Sequence, residues 1–480
     1  MKPQQSTNSQ SLSPENTELS IAEQIGQFAH DLSWEQVPDA VQLRAKLLIL
    51  DALGIALAAN HYPFASTICA GLVDLAALDG APGTYHLIGS KIRLPLRDAI
   101  VANGALIHGL DFDDTHMTSV VHATAVSLPV VLSVGEAMDV QGPEFLAAYL
   151  AASEVAIRVG KTASFGFHDH GLHATGVAGH FSSAVGAAKL FGLSPAAIAA
   201  AQGIVGSTAM ASQEFVGDGA WNKRFHPGWA GVAGVTAAKL AENQFIAPRL
   251  PYEGRFGLFW SLLGSHDSAY EINQMTLGLG TEWETEQSAV KPFPACHFIH
   301  AAADCALSLA NDNDINMNQV KRILVLIPEE AVEVVAEPVK AKRLPQSDYD
   351  AKFSVQFIVA AALHRLHFGL AELEPECLND PAVLKTAAKI DYQIDPDSLF
   401  PEAYSGGVNI IMKSGETLSR YDSVNRGAGE RALSEAEVVE KFMGNAGLVI
   451  KSDKAKLIRN MVMQLEQYSV RDLLTELSIG

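Results

Sequence analysis

Cysteine is scarce and poorly spaced for its usual structural roles. Cys69, Cys296, Cys305 and Cys377 form no C-x-x-C pair and no iron–sulfur spacing. That argues for a reducing, cytoplasmic compartment and against a disulfide framework. Positive charge is short as well: 34 Lys and Arg against 54 Asp and Glu leave a net charge of −20. Phosphate binding needs clustered cations, so nucleic acid is excluded as a partner. A small anion is not excluded, because a few buried cations make a pocket positive inside an acidic protein. The opening "MKPQQSTNSQSLSPENTE" lacks arginine and any apolar stretch. It reads as a disordered tail over residues 1–19, neither a signal nor a transit peptide. The longest apolar run, "AKLLILDALGIALAAN" (45–60), carries Lys46 and Asp51. It is too short and too polar to span a bilayer, so no membrane partner is expected.

Catalytic signatures are missing too. The chain has no P-loop, no G-x-G-x-x-G after a strand, no G-x-S-x-G elbow and no H-E-x-x-H. Nucleotide cofactors, a serine hydrolase and a zincin are therefore unsupported. What is present is a chain of 480 residues, 48% hydrophobic and only 18% charged. It is long enough for two domains and apolar enough for a large packed core.

From about Ser20 to Leu263 the pattern is helical. Ser20 and Glu23 form a capping box before "IAEQIGQFAHD", residues 39–59 show helical spacing, and Ser194–Pro195 opens another helix. Small residues on successive turns of "GVAGHFSSAVGAAKLFG" (176–192) predict a central, closely packed helix. Near residue 287 the texture changes. "VKRILVLIP" (320–328) reads as a strand, "GGVNIIMKSGETLSRYDS" (406–423) as a hairpin turning at 413–416, and 351–366 as helix. After Arg431 the chain returns to helix, with a capping box at Ser434 and Glu437 and a helix over 454–478.

The chemistry is concentrated in four places. "HGLDFDDTHMTSVVHATAVSLP" (108–129) puts three aspartates and three histidines into about six helical turns of apolar chain. Buried polar groups at that density must satisfy one another or bind something. "GFHDHGLHATGVAGHFSSA" (166–184) adds His168, His170, His173 and His180. "WNKRFHPGWAGVAG" (221–234) adds Lys223, Arg224 and His226, and "KPFPACHFIHAAADC" (291–305) adds Lys291, Cys296, His297 and His300. Each segment reads as a helix boundary, where a ligand can approach backbone amides. Asp113 and Asp114 are expected to cap a helix or pair with a cation, which leaves Asp111 as the functional carboxylate. His180 and His300 read as core residues, and Lys223 as buried. The "HDH" at 168–170 has no partner spacing for a metal site. The residue types suit metal-free acid–base work on an anion: cations to stabilise an enolate-like dianion and histidines to move protons.

Taken in order, "HGLDFDDTH", "GLHATGVAGHFSSAVGAAKLFGL", "KRFHPGWAGVAG", "EGRFGLF" and "KPFPAC" resemble the MmgE/PrpD family over residues 20–475. That family includes 2-methylcitrate dehydratase, cis-aconitate decarboxylase and an iminodisuccinate epimerase. The resemblance implies a mainly α fold. A large all-helical domain would be built from both chain ends (20–286 and 433–480), with a smaller α+β lid over 287–432, usually as a homodimer. It also implies a pocket of Asp111, Thr115, His122, His173, Lys223 and Lys291. Two positions depart from the decarboxylase pattern. Cys296 stands where that enzyme has histidine, with His297 one place on, and Phe357 replaces a tyrosine.

The expectation is a cofactor-independent lyase of a small di- or tricarboxylate, most like 2-methylcitrate dehydratase. His122 and His173 would move protons, Lys223 and Lys291 would hold opposite carboxylates, and Asp111 and Thr115 would position the histidines. Cys296 and His297 would contact substrate. The alternatives are a decarboxylase, an epimerase using Cys296 or His297 from the second face, and a non-catalytic carboxylate-binding protein.

Overall fold

The computed structural model describes residues 18–80, 83–264 and 270–479. The tail expected over 1–19 therefore lies outside the described residues, apart from Glu18 and Leu19. No described helix is long and apolar enough to cross a membrane.

The chain is mostly helical with a small sheet region, and its apolar residues gather into two main cores. The larger draws on residues 22–290 and 433–477. At its centre the helix Asp39–Ala59 is buried on every side from Ala45 onward, and the helix Glu435–Ala446 packs on it. Val470–Leu477 packs on Ala123–Met138, so the chain end closes over its own beginning. Leu50 and Ile55 are fully buried here; truncating such a residue to alanine costs about 2–5 kcal/mol.

The small residues noted in the sequence set how closely these helices approach. The helix Asn222–Glu242 crosses Leu96–His108 at Gly104 and Gly228, where a Cβ on Gly104 would lie 2.6 Å from the Gly228 nitrogen. Only glycine permits that approach. It brings the first turn of one helix, with Lys223, beside the last turn of the other, with His108.

The second core spans residues 289–428 and includes Met117. Its four-stranded sheet runs in the order Ile390–Ile394, Val320–Ile327, Gly406–Met412, Thr417–Asp422. The first pair is parallel and the others antiparallel. The helices His300–Asp312 and Val355–Arg365 pack against the sheet. A separate two-residue ribbon joins the two parts: Thr115 pairs with Ala289 and His116 with Ser288.

Local signals agree with the structure where capping decides them. The boxes at Ser20 and Ser434 form, Ser194 caps its helix, and the hairpin turns at 413–416. Three expected helices are interrupted. Residues 108–129 are not continuous helix; one helix ends at His108 and the next starts at Ala123. Between them Asp111 (φ +52°) and Val120 (φ +53°) are left-handed, and the polar side chains fold onto one another. Residues 351–366 break at Ser354, which caps Val355–Arg365. Residues 454–478 split in two because Ser469 and Asp472 form their own capping box.

Candidate active site

Five residues reach the site from helix boundaries. His108 ends one helix, His122 and His173 occupy the N-cap positions of Ala123–Met138 and Ala174–Leu190, and Lys223 lies in the first turn of Asn222–Glu242. Cys296 precedes the short helical turn His297–Ile299. Lys291 follows the ribbon that ties 115–116 to 288–289. All eight expected site residues line one cavity of about 560 Å³: Asp111, Thr115, His122, His173, Lys223, Lys291, Cys296 and His297.

The electrostatic centre is Asp111. Its Oδ1 meets Lys223 Nζ at 2.5 Å and Lys291 Nζ at 3.3 Å, and Lys291 also donates to the Asp111 carbonyl at 3.0 Å. Burial alone would raise this carboxyl, but Lys223, Lys291 and His122 hold it well below the usual carboxylate range. Burial would likewise lower Lys223, and the charge of Asp111 overrides it, keeping the ammonium above its ordinary value. Asp111 Oδ2 is buried without a hydrogen-bond partner.

This geometry corrects two expectations. Asp111 grips the lysines rather than a histidine. The two lysines also converge on one oxygen of Asp111 instead of standing apart as the expected clamp would have them.

The carboxylate on the histidines is Asp113, which accepts from His108 Nδ1 at 2.8 Å and lies 3.5 Å from His122 Nδ1. Asp113 caps no helix. Asp114 faces Thr124 in the first turn of the next helix, and burial together with the charge of Asp113 pushes it up to about 7. His122 Nδ1 sits 2.8 Å from the Asp114 carbonyl and 3.3 Å from Thr115 Oγ1. A carbonyl only accepts, so Nδ1 carries the proton and Nε2 is left as the basic nitrogen. Burial, with Lys291 and Lys223 nearby, holds His122 neutral, well below its usual value despite Asp113. His173 is lowered in the same way, by burial first and then by Lys223. Its Nδ1 contacts His226 Nδ1 at 3.1 Å, and its ring stacks on His108 at 5.6 Å.

His297 accepts from Asn425 Nδ2 at 2.6 Å. The Cys296 thiol lines the cavity in its protonated form, pushed up by burial and then by Asp111. Phe357 is buried in the smaller core and is not among the cavity-lining residues. His180 and His300 are buried, bonded to the carbonyls of Gly176 and Ala295.

Sequence reasoning gave His108 and Asp113 no place in this cluster, and it noted His226 in the Lys223 segment without assigning it a role. His108 and Asp113 stood in the quoted "HGLDFDD", but a five-residue spacing across an irregular turn has no periodic signature.

One ring nitrogen each of His108, His122 and His173 lie within 4.8 Å of one another, a set that could hold a divalent ion. The charges of Lys223 and Lys291 beside His122 oppose a second cation there.

The model of the MmgE/PrpD N-terminal domain matches residues 23–271, and that of the C-terminal domain matches residues 293–467. The chain belongs to the MmgE/PrpD family. It is similar to a human protein named cis-aconitate decarboxylase, 28% identical over 479 residues, covering 96% of this chain and 95% of the human one. It is 24% identical over 486 residues to the Aspergillus terreus protein of that name, with 96% of each chain covered. The mouse protein of the same name is 25% identical over 478 residues, covering 96% of this chain and 94% of its own. The family and these relatives support a lyase-type enzyme, and the dehydration expected first from the sequence is not confirmed by them.

Proposed function

We propose that this MmgE/PrpD protein is a metal-free lyase of small di- or tricarboxylates that releases CO2 from a cis-aconitate-like substrate. The observation that carries this reading is the pair of buried ammonium groups converging on Asp111, in one cavity with two neutral imidazoles. A substrate carboxylate bound at Lys223 and Lys291 would share their charge with Asp111. Breaking the bond to a departing carboxylate leaves an electron pair on the adjacent carbon, delocalised into the retained carboxylate. Fixed cations at that carboxylate stabilise the developing charge in the transition state.

The carbon must then be protonated. A polyanionic substrate raises the pKa of nearby imidazoles, so binding itself would charge His122 or His173 and turn it into the acid. Cys296, protonated and lining the same cavity, is a further proton source.

A second reading, elimination of water from a 2-methylcitrate-like substrate, is favoured by the tautomer of His122. Its Nε2 is already a base, and dehydration begins by removing a proton next to a carboxylate.

The two readings separate in one assay. The purified protein is given carboxyl-labelled cis-aconitate or 2-methylcitrate, with gas and solution products followed by mass spectrometry. Labelled CO2 from cis-aconitate supports the first reading. A new alkene from 2-methylcitrate without gas supports the second, and no product from either sinks both. Turnover is expected to survive excess EDTA, because Lys223 and Lys291 already supply the cationic charge. Chelator-sensitive activity with stoichiometric metal by elemental analysis would refute the metal-free part.

A further inference from the structure

Four lysines meet at the turn formed by Leu110, Asp111 and Phe112. Lys352 Nζ donates to the Leu110 carbonyl at 2.6 Å, Lys291 Nζ to the Asp111 carbonyl at 3.0 Å and Lys441 Nζ to the Phe112 carbonyl at 2.8 Å. Lys223 takes the Asp111 side chain. Three successive carbonyls are thus each held by a different lysine.

The four lysines come from separate stretches. Lys223 lies on the helix Asn222–Glu242, Lys291 after the ribbon, Lys352 at the end of Asp348–Lys352, and Lys441 on Glu435–Ala446. Lys352 and Lys441 are not among the residues that line the site cavity. Lys441 and Phe112 border a different cavity of about 440 Å³.

Ordinary core filling does not account for Lys352. It is fully buried, and the one hydrogen bond of its side chain among the described residues goes to a main-chain oxygen. Burial pushes its ammonium down to about 7. A lysine buried without an ion-pair partner is costly whether it stays charged or gives up its proton, so its placement calls for a role at the carbonyl it holds. The residue between the Leu110 and Phe112 carbonyls is Asp111, left-handed at φ +52°, a conformation uncommon outside glycine and, among other residues, most accessible to Asn and Asp.

We infer that Lys352 and Lys441 are positioning residues. By tying the carbonyls on either side of Asp111 they hold it in the left-handed turn that sets its carboxylate between Lys223 and Lys291. The inference rests on the proposed function, in which that trio receives the substrate carboxylate.

The test uses Lys352→Met and the double variant Asp51→Asn/Lys441→Met. The double change avoids stranding Asp51, which pairs with Lys441 at 2.8 Å. Crystal structures are expected to show Asp111 leaving φ +52° and its contact with Lys223 opening. With cis-aconitate, kcat should fall by up to about 10²-fold, the effect of a misplaced catalytic group, while KM changes little. Lys441→Arg, which has the neighbouring cavity to enter, should restore most of the lost kcat. Should Lys352→Met not fold, the double variant decides alone.

An unchanged Asp111 conformation in the folded variants overturns the inference. So does a kcat loss matched by the unfolded fraction. If the parent protein turns over no polycarboxylate, the functional reading fails, while the Asp111 conformation still decides the positioning role.

Discussion

His122→Ala and His173→Ala are each expected to lower kcat by roughly 10²–10⁴, the range for general acid–base groups, with the fold retained. Both rings are buried and neutral, so each is held away from its solution behaviour by desolvation and nearby lysines. A bound polyanion reverses that field, and the loss should therefore appear in kcat more than in KM. His122 has the more constrained tautomer, with Nδ1–H directed at the Asp114 carbonyl. Glutamine at position 122 keeps a donor there but not the imidazole proton chemistry, so His122→Gln should be as slow as His122→Ala. Steady-state kinetics with circular dichroism checks the pair. Near-parental kcat in either variant would take that histidine out of the reaction.

Asp111→Asn is expected to abolish most activity and to change how stability depends on pH. In the parent, the Asp111 carboxyl is depressed in the folded state, so its contribution is present above the unfolded value of about 3.9 and lost as pH falls. Lys223 is raised, so its contribution is present below its unfolded value of about 10.4 and lost as pH rises beyond it. Between about pH 5 and 9 this pair therefore adds no slope.

Asparagine leaves two buried ammonium groups facing each other. Removing one partner of a buried pair costs about 3–5 kcal/mol. Like charge and burial both depress a lysine, so the folded variant binds fewer protons than the unfolded chain. Its stability should then rise with pH across that same window. Urea unfolding at a series of pH values reads the slope directly. A variant as flat as the parent would show that the lysine charges do not couple through Asp111.

Much of this could be read from short stretches of chain. The capping boxes at Ser20 and Ser434, the Ser194 cap and the 413–416 hairpin turn depend on residues within about four positions of one another. Helix boundaries therefore emerged from local chemistry, and the histidines and lysines at them stood out as polar groups in apolar sequence. The breaks at Ser354 and Ser469 were legible by the same rule, but helical periodicity on both sides masked them.

What only the tertiary structure decided is how these boundaries face one another. Asp111 and Lys223 are 112 positions apart, Asp111 and Lys291 180, and Leu110 and Lys352 242. No spacing rule reaches that far, because these contacts follow from helix crossings such as Gly104 on Gly228 and from the ribbon pairing 115–116 with 288–289. The sequence determined by itself which residues could carry charge or a proton, since that is a property of the side chain. It also marked where helices would begin, since capping is local. Which carboxylate serves the lysines and which the histidines depended on the left-handed turn at Asp111. The carbonyls of that turn are held by Lys352, Lys291 and Lys441, which distant segments bring there only in the folded chain.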